Sequence, residues 1–472
     1  MQNWEEIDNM KDFLVKDILE ICDGKLICGN QEEVCENFCK DTRKVQNGDV
    51  YVAIKGEKYD GNMFVTEAIQ KGAKVCIVDK LCKTEEEIKK YVKKTIILVE
   101  NTVKALQELA KYKRNLYDIP VVAVTGSVGK TSTKDAIASV MKQKYNVLKT
   151  EGNLNNHIGV PLTILKLKEH NAMVIEMGMN SLGEISVLTN IAKPTICVIT
   201  NVTTAHIGIL GSRRNILKAK LEILEGMKKD GIVIINNDND MLHKWKETES
   251  SEYKVYTYGI ENESDLMAKS IKIEENSTIF ESNVNNEKHK IEVPVPGTHF
   301  VYNSLCAMSV GINLGIDIEK IKNGIKTMEL TKNRMDVLAG KNNTTIINGC
   351  YNASYDSVKA GIEYLAHYKG NKKIAVLGDM LELGNYAKEL HEKVGEEIIK
   401  NKIDVLVTVG GESKNTCKKA KELGMDEKNI ISCETREEAI EKIQKIYEPK
   451  DVILIKASLS MGFMEIKKAL EE

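Results

Sequence analysis

Val121-Val-Ala-Val-Thr-Gly-Ser-Val-Gly-Lys-Thr-Ser-Thr133 is the stretch that decides the fold of this chain. Its apolar beginning predicts a buried strand, and a helical pattern follows the two glycines as far as about Gln143. A glycine turn between a strand and a helix directs backbone N–H groups and the positive helix end at an anion. Lys130 adds a mobile positive charge, and Thr131 offers a hydroxyl group to a magnesium ion. The stretch therefore predicts a nucleotide phosphate site.

The spacing of this loop is shorter than the full G-x-x-x-x-G-K-[ST] pattern, because Val124 stands where the first glycine would be. Gly126 and Gly129 still permit a phosphate to approach the backbone closely. The alternative is an ordinary strand-to-helix turn with a chance lysine. Because a strand, the sequence Gly-x-x-Gly-Lys-Thr and a helix follow one another directly, the stretch favours nucleotide binding.

The bulk properties restrict the class of protein. A chain of 472 residues, 42% of them hydrophobic, predicts roughly three domains with real cores. Its 67 basic and 69 acidic residues give a net charge of −2, which argues against a nucleic-acid partner. No apolar run approaches the ~18 residues of a membrane span, and the acidic start Met1-Gln-Asn-Trp-Glu-Glu6 lacks the features of a signal peptide. We expect no membrane insertion and a cytoplasmic location.

The eleven cysteines carry no paired C-x-x-C spacing. Cys35 and Cys39 are four residues apart, without a nearby histidine. We interpret all eleven as reduced and mostly structural.

Alternating strand and helix patterns predict an α/β protein of three domains. Residues 1–115 read as a small α/β N-terminal domain, 116–330 as a central P-loop domain with a parallel sheet, and 331–472 as a Rossmann-like doubly wound domain. Continuous apolar strands are typical of parallel sheets covered on both faces, and ligands bind such sheets at the carboxyl ends of the strands. Residues 252–293 contain short segments in which polar and apolar residues alternate, and this pattern predicts an antiparallel insertion in the central domain.

Two titratable residues follow strands of the central domain. Glu176 ends the strand in Ala172-Met-Val-Ile-Glu-Met-Gly178, where a carboxylate beside a phosphate loop is placed to hold magnesium. His206 lies beyond the strand 195–200, on the same edge, and we interpret it as a metal ligand. The alternatives are an acid that faces solvent and a histidine with a structural role.

Lys220 is the most informative single residue of the predicted helix 214–228. At about 100° per residue, six apolar side chains form an arc with Lys220 among them: Ile216, Leu217, Leu221, Ile223, Leu224 and Met227. Four charged residues fall on the opposite side: Lys218, Glu222, Glu225 and Lys229. Desolvation lowers the pKa of a lysine, and a neutral amine can add CO₂ to become a carbamate ligand. A lysine that reaches past its neighbours to water is an equal alternative.

Three polar loops are candidate ligand sites at strand ends. They are Asn153-Leu-Asn-Asn-His157, Cys350-Tyr-Asn352 and Asp379-Met-Leu-Glu-Leu-Gly384. Their amide and carboxylate groups suit an oxygen-rich ligand, although an asparagine-rich loop is often only a turn.

Together these motifs resemble the Mur ligases, over all three domains and in order. The segments that carry the resemblance are Thr125–Thr131, Gly152–Pro161, Glu176–Asn180, Asn201 with Ala205-His206, Ala219-Lys220 and Leu377–Gly384. The resemblance implies an ATP-dependent amide ligase that activates a carboxylate as an acyl phosphate.

The resemblance also implies a set of site residues. The nucleotide would be bound by Gly126, Ser127, Gly129, Lys130, Thr131, Ser132, Asn303 and Arg334. Magnesium would be held by Thr131, Glu176, His206 and a carbamylated Lys220, with Lys130, His206 and Lys220 as catalytic residues.

The implied substrates are UDP-N-acetylmuramoyl-tripeptide and D-Ala-D-Ala, acted on by a monomer. Substrate contacts are expected from Thr42, Arg43, Asn153, Asn155, Asn156, His157, Asn352, Asp379 and Glu382. Thr42 and Arg43 lie in the segment that resembles the UDP-sugar site.

The sequence departs from the family pattern mainly in the C-terminal domain. Gly349 stands where the family usually has aspartate, Ser354-Tyr355 replaces Asn-Pro, and Lys456-Ala-Ser-Leu459 replaces Lys-Gly-Ser-Arg. The run Asn180-Ser-Leu-Gly-Glu184 departs in the same way from Asn-His-x-Gly-Glu. Two alternatives therefore stay open: a ligase that uses another amine, and a nucleotide-binding paralogue without catalysis.

Overall fold

The computed structural model describes residues 12–82, 94–249, 253–329, 331 and 334–472. The acidic start of the chain and residue 330, where we placed a domain boundary, lie outside these described residues. Within them, no helix combines the length and the apolar character that crossing a membrane requires. The described cysteines number eleven and all are free, as the sequence predicted.

The N-terminal part of the chain forms a small sheet. Its described strands lie in the order β2-β7-β6-β5-β4, and all neighbouring pairs are parallel except β2 with β7. The strands up to this point are β1 Phe13–Leu14, β2 Lys25–Cys28, β3 Val34–Cys35, β4 Phe38–Cys39, β5 Val50–Val52, β6 Val75–Val78 and β7 Thr95–Leu98. The α-helices are α1 Val15–Ile21, α2 Val65–Gln70 and α3 Thr102–Asn115.

A parallel sheet forms the centre of the molecule, in the order β14-β13-β12-β11-β8-β10-β9. Its described strands are β8 Val121–Thr125, β9 Val147–Lys149, β10 Ala172–Glu176, β11 Ile196–Ile199, β12 Ile232–Asn236, β13 Lys254–Gly259 and β14 Leu266–Met267. The helices between them are α4 Lys130–Met141, α5 Gly159–Ile164, α6 Glu184–Ala192, α7 Ile207–Leu210, α8 Arg213–Leu221 and α9 Asp240–Thr248.

The register of the strands brings the ends of β8, β10 and β11 to one edge of the sheet. The glycine-loop strand β8 lies between β10 and β11, and all five of its residues are buried. Glu176 pairs with Val124, and Ile199 pairs with Thr125. The carboxyl ends of three neighbouring strands therefore meet where the glycine loop begins.

The prediction for 252–293 is only partly right. The first two strands, β13 and β14, run parallel and extend the central sheet. Only β15 Lys269–Ile273, β16 Thr278–Val284 and β17 Glu287–Val293 form an antiparallel sheet. The alternation that we attributed to antiparallel pairing comes from incomplete burial near the edge of the parallel sheet, where the start of β13 is exposed. Helices α10 Thr298–Asn313 and α11 Ile318–Lys326 follow.

The C-terminal sheet has the order β18-β19-β23-β20-β21-β22. Its described strands are β18 Asp336–Gly340, β19 Thr344–Gly349, β20 Lys373–Gly378, β21 Val405–Val409, β22 Ile430–Cys433 and β23 Val452–Lys456. The helices are α12 Tyr355–His367, α13 Ala387–Lys400, α14 Lys414–Glu422, α15 Arg436–Ile446 and α16 Met464–Leu470. All pairs are parallel except the edge strand β18, which the sequence analysis missed. The α/β fold class with parallel sheets is confirmed.

Candidate active site

The glycine loop turns sharply out of β8. Gly126 and Gly129 have φ angles of 151° and 80°, which side chains rarely tolerate, and a Cβ atom on Gly126 would collide with the Thr200 hydroxyl. Asn201 holds the loop, since its backbone oxygen accepts from Ser127 N at 3.0 Å and its Oδ1 accepts from Val128 N at 2.9 Å. These two hydrogen bonds fix the backbone of the loop against the end of β11.

Lys130 is the first residue of α4 and folds back over the loop. Its Nζ donates to Gly126 O at 2.8 Å and to Ser127 O at 3.3 Å. Burial lowers the pKa of Lys130, Glu176 opposes this effect, and Arg334 reinforces it. The two cations and the carboxylate therefore lie within electrostatic reach of one another.

Glu176 carries a buried carboxylate with an unused oxygen. The residue is 1% exposed, and its Oε1 accepts from Asn155 Nδ2 at 2.8 Å. Its Oε2 has no hydrogen-bond partner among the described residues. A buried carboxylate oxygen without a partner costs free energy unless a ligand satisfies it. This oxygen, together with the nearby Thr131 hydroxyl, suits the oxygen ligands that magnesium prefers.

Two cavities meet at the glycine loop. The first encloses about 500 Å³ and includes Tyr258, Phe300 and Tyr302 in its wall, which suits a flat aromatic base. The second encloses about 570 Å³ and is lined by loops of both the central and the C-terminal sheets. Both cavities share these residues: Val128, Gly129, Thr131, Arg334, Tyr351, Asn352, Ser357 and Lys456.

Most of the predicted site residues line these cavities. Ser132 and Asn303 line the first, and Asn303 Oδ1 accepts from the Thr133 hydroxyl at 3.0 Å. The predicted residues confined to the second are Ser127, Lys130, Asn153, Asn155, Asn156, Glu176, His206 and Glu382. The structure thus brings the predicted nucleotide and substrate residues to adjoining chambers.

Arg334 lies at the junction of the two cavities. The central carbon of its guanidinium is 3.6 Å from the centre of the Tyr351 ring, a stacked cation–π contact. Burial lowers its pKa, while the Glu176 carboxylate raises it. Its Nε is buried without a hydrogen-bond partner among the described residues, so the guanidinium has free capacity to bind an anion.

His206 connects the central sheet to the C-terminal one. It precedes α7 with φ 64°, and its Nδ1 lies 2.6 Å from Glu382 Oε2. The backbone reinforces the contact, because Gly208 N donates to Glu382 O at 3.0 Å. Burial lowers the pKa of His206; Glu382 opposes this, and Lys130 and Lys220 reinforce it. In this arrangement His206 pairs with a residue that is 176 positions away in the sequence.

This pairing yields a pH prediction. In Glu382→Gln the counter-charge is removed, so the pKa of His206 should fall further below 6.5. Since a lowered folded-state pKa means that stability is lost as pH falls below 6.5, the variant should lose stability more steeply there than the wild type. NMR titration of the imidazole measures the shift, with His170 as an internal reference. An unchanged or raised pKa of His206 would contradict the pairing.

Lys220 is buried, as one of our two interpretations required. It is 1% exposed, and burial lowers its pKa well below the ordinary value, with Lys130 adding to the effect and Glu222 and Glu184 opposing it. The helix ends earlier than predicted, at Leu221, and Glu222 is buried where we expected exposure. The Glu222 carboxylate accepts from Gly183 N at 2.7 Å and Ser186 N at 3.2 Å. Because the Glu222 carboxylate accepts hydrogen bonds from backbone N–H groups at the start of α6, its side chain points into the protein.

Several predicted residues lie outside the walls of both cavities. Arg43 pairs with Asp41 at the surface, in the same 3-10 turn as Thr42. His157 is exposed and its carbonyl accepts from Gln107. The Asp379 carboxylate accepts from Gly411 N at 3.1 Å and Ser413 N at 2.7 Å, so it holds the loop after β21 together. Neither Lys220 nor Gly126 lines either of these two cavities, although Gly126 precedes Ser127 of the second cavity and Lys220 is within electrostatic reach of Lys130.

Three residues of the site were not predicted from the sequence. Lys456 ends β23 and lines both cavities, and the same strand-end rule that selected Glu176 would have selected it. Tyr351 lies beneath Arg334 in a loop that we predicted but assigned only through Asn352. Asp238 follows β12 and accepts from the Tyr302 hydroxyl at 2.9 Å in the first cavity.

Comparison with known proteins identifies the family. Three family models match the chain: "Mur ligase family, catalytic domain" at residues 39–114, "Mur ligase middle domain" at 124–311 and "Mur ligase, glutamate ligase domain" at 333–459. The UDP-N-acetylmuramoyl-tripeptide--D-alanyl-D-alanine ligase of Bacillus subtilis is 36% identical, over 97% of this chain and 98% of that protein. The chain belongs to the Mur ligase family. The Escherichia coli ligase of the same name is 32% identical over 92% of this Mur ligase and 93% of its own length.

Solved structures agree with this membership. The crystal structure of MurF from Acinetobacter baumannii has a TM-score of 0.86 and 27% identity, and covers 97% of this Mur ligase and 98% of that chain. MurF from Thermotoga maritima, solved in complex with ADP, has a TM-score of 0.78 and 28% identity, with 92% and 96% covered. The similarity therefore extends over the whole three-domain arrangement.

Proposed function

We propose that this Mur ligase uses ATP to join D-Ala-D-Ala to UDP-N-acetylmuramoyl-tripeptide in peptidoglycan precursor synthesis. The observation that carries the proposal is the meeting of two cavities at Gly129, Thr131 and Arg334. One cavity suits a nucleotide, and the other opens between loops of two sheets, where a second substrate would reach the end of the triphosphate. The relatives from B. subtilis and E. coli bear the name of this activity.

The proposed reaction has two steps. A carboxylate oxygen of the tripeptide attacks the γ-phosphorus of ATP, the bond to the β-phosphate oxygen breaks, and ADP leaves. The neutral amine of D-Ala-D-Ala then attacks the acyl carbon, loses a proton, and releases phosphate as the amide forms. Lys130 and Arg334 would stabilise the charge on the transferred phosphoryl oxygens, which is the main contribution that a protein makes to phosphoryl transfer.

Magnesium fits the residues at this edge. Thr131 and the free Oε2 of Glu176 would hold one ion, and His206 with a modified Lys220 would hold a second. A magnesium ion held by these residues would neutralise charge on the phosphate oxygens. Among the described residues, no group of three or more His, Cys, Asp or Glu side chains could hold a metal ion.

Carbamylation of Lys220 is part of the proposal. Addition of CO₂ requires a neutral amine, and burial together with the nearby Lys130 charge favours that form. The product is a carboxylate on a long arm, whose negative charge would offset the excess of lysine charge. Burial also keeps the neutral amine away from bulk water.

The substrate contacts that we predicted remain part of the proposal. Asn153, Asn155, Asn156, Asn352 and Glu382 line the second cavity, where the reacting carboxylate and the dipeptide would meet. Thr42 and Arg43 would bind the UDP end of the substrate in the N-terminal part of the chain. We keep the domain boundaries at 115/116 and 330/331 as part of the same proposal.

One assay separates this function from its alternatives. The purified protein receives MgATP, UDP-N-acetylmuramoyl-tripeptide and either D-Ala-D-Ala or another amine, and mass spectrometry identifies the product. We expect the UDP-pentapeptide, with one phosphate released for each molecule formed. A product only with another amine would support a divergent ligase. No product despite measurable ATP binding would indicate a paralogue without catalysis.

A further inference from the structure

Lys456 is a buried lysine at the point where the two cavities join. It is the last residue of β23, which lies between β19 and β20 in the C-terminal sheet. It is 5% exposed, yet it lines both cavities. A central strand of the C-terminal sheet therefore delivers an ammonium group to the end of the glycine loop.

The methylene stem of Lys456 packs against two glycines. A Cβ atom on Gly349 or on Gly361 would lie 3.4 Å from Lys456 Cδ, so the methylene stem runs close against both backbones. The Nζ donates to Asn352 O at 2.8 Å. An ammonium has three donors, and this carbonyl satisfies one of them. The stem is thus fixed by packing, while the charged end retains donors for a ligand.

The charges around Lys456 are mostly positive. Burial and, to a lesser degree, the Arg334 charge lower the pKa of Lys456 to about 8, and only the weakly acidic Cys350 acts in the opposite direction. Arg334 in turn acts on Lys130, and Glu176 is the carboxylate that opposes burial at both residues. Among the described residues, no carboxylate forms an ion pair with Lys456. The buried Lys456 and the half-buried Lys130 and Arg334 outnumber the carboxylates that act on them, Glu176 and, at Arg334, also Asp135, so this junction suits an anion.

We infer that Lys456 contacts the terminal phosphoryl group of bound ATP and completes, from the C-terminal sheet, the cation set of Lys130 and Arg334. This inference rests on the nucleotide binding in the proposed function and adds a residue to it. The inner phosphates of a nucleotide would lie in the glycine loop, whereas the terminal one would reach the junction that Lys456 lines. The same contact would follow the phosphoryl group onto the acyl phosphate.

The test compares ATP with ADP, because only ATP carries the terminal group. Calorimetry measures the affinity of full-length Lys456→Met and Lys456→Gln for MgATP and for MgADP. Loss of one charge-assisted hydrogen bond should weaken ATP binding about tenfold or more, while ADP affinity stays within about threefold of the wild type. Lys418→Met, an exposed residue of the same part of the chain, is the matched control and should bind both nucleotides normally. Thermal melting of each variant verifies folding.

Three results would overturn the inference. ATP affinity could be unchanged, ATP and ADP affinities could fall equally, or the KM of the dipeptide alone could rise. The last result would assign Lys456 to the terminal carboxylate of the acceptor. The binding assay needs no UDP-linked substrate, so it is independent of the proposed reaction. If the wild type made no pentapeptide while the difference between ATP and ADP persisted, the proposed function would fall and the role of Lys456 would stand.

Discussion

Lys220→Ala should reduce ligase activity about a thousandfold or more, since in the proposed mechanism it would remove both a metal ligand and a source of charge stabilisation at the phosphoryl group. Lys220 is 1% exposed, and burial holds its pKa well below the ordinary range. Both features favour the neutral amine that a carbamate requires. Lys218→Ala, on an exposed position of the same helix, should retain activity.

The carbamate can be separated from a plain lysine by chemical rescue. In Lys220→Ala the removed side chain leaves space for a small carboxylic acid, so acetate or formate should restore part of the activity, whereas bicarbonate should not. NMR with ¹³C-labelled bicarbonate should show a carbamate carbon in the wild type and none in the variant. Substantial activity of Lys220→Ala without additives would refute the role of this residue.

Glu176→Gln should lower kcat by roughly 10²–10³-fold and change stability little. The amide keeps the shape of the side chain and can still accept from Asn155, but it removes the charge that opposes burial at Lys130 and Arg334. It also removes the carboxylate oxygen that is free to hold magnesium. Because the native oxygen has no partner among the described residues, its removal sacrifices no internal hydrogen bond.

Steady-state kinetics and thermal melting test this expectation together. The surface variant Glu169→Gln serves as a charge-matched control. A rightward shift of the magnesium dependence should accompany the loss of kcat in Glu176→Gln. If this variant kept wild-type kcat at low magnesium, Glu176 would not be a metal ligand.

Local patterns predicted the parts of the site that depend on one strand and the turn after it. The glycine loop and Glu176 at the end of β10 follow from the pattern of polar and apolar residues within one element, and the burial of Lys220 is one of the two outcomes that this pattern left open. These features need no knowledge of a distant partner. The same reasoning, applied to β23, would have found Lys456.

Features that depend on contacts between distant segments of the chain were not predicted from the sequence. The sequence predicted that Asp379 contacts substrate, but its carboxylate accepts hydrogen bonds from the backbone N–H groups of Gly411 and Ser413. The pairing of His206 with Glu382 depends on how the C-terminal sheet docks onto the central one. In the same way, β13 pairs with β12, and its polar alternation gave no sign of that parallel partner. Strand partners and contacts between sheets are set by tertiary packing, which spacing along the chain does not encode.

In the proposed mechanism, ATP activates a substrate carboxylate by transferring its γ-phosphoryl group to it. The most direct measurement uses UDP-N-acetylmuramoyl-tripeptide labelled with ¹⁸O in the terminal carboxylate, together with MgATP and D-Ala-D-Ala. Attack of a carboxylate oxygen on the γ-phosphorus predicts that each phosphate released carries one ¹⁸O atom, which mass spectrometry detects. Phosphate without the label, released alongside the amide product, would contradict the acyl-phosphate mechanism.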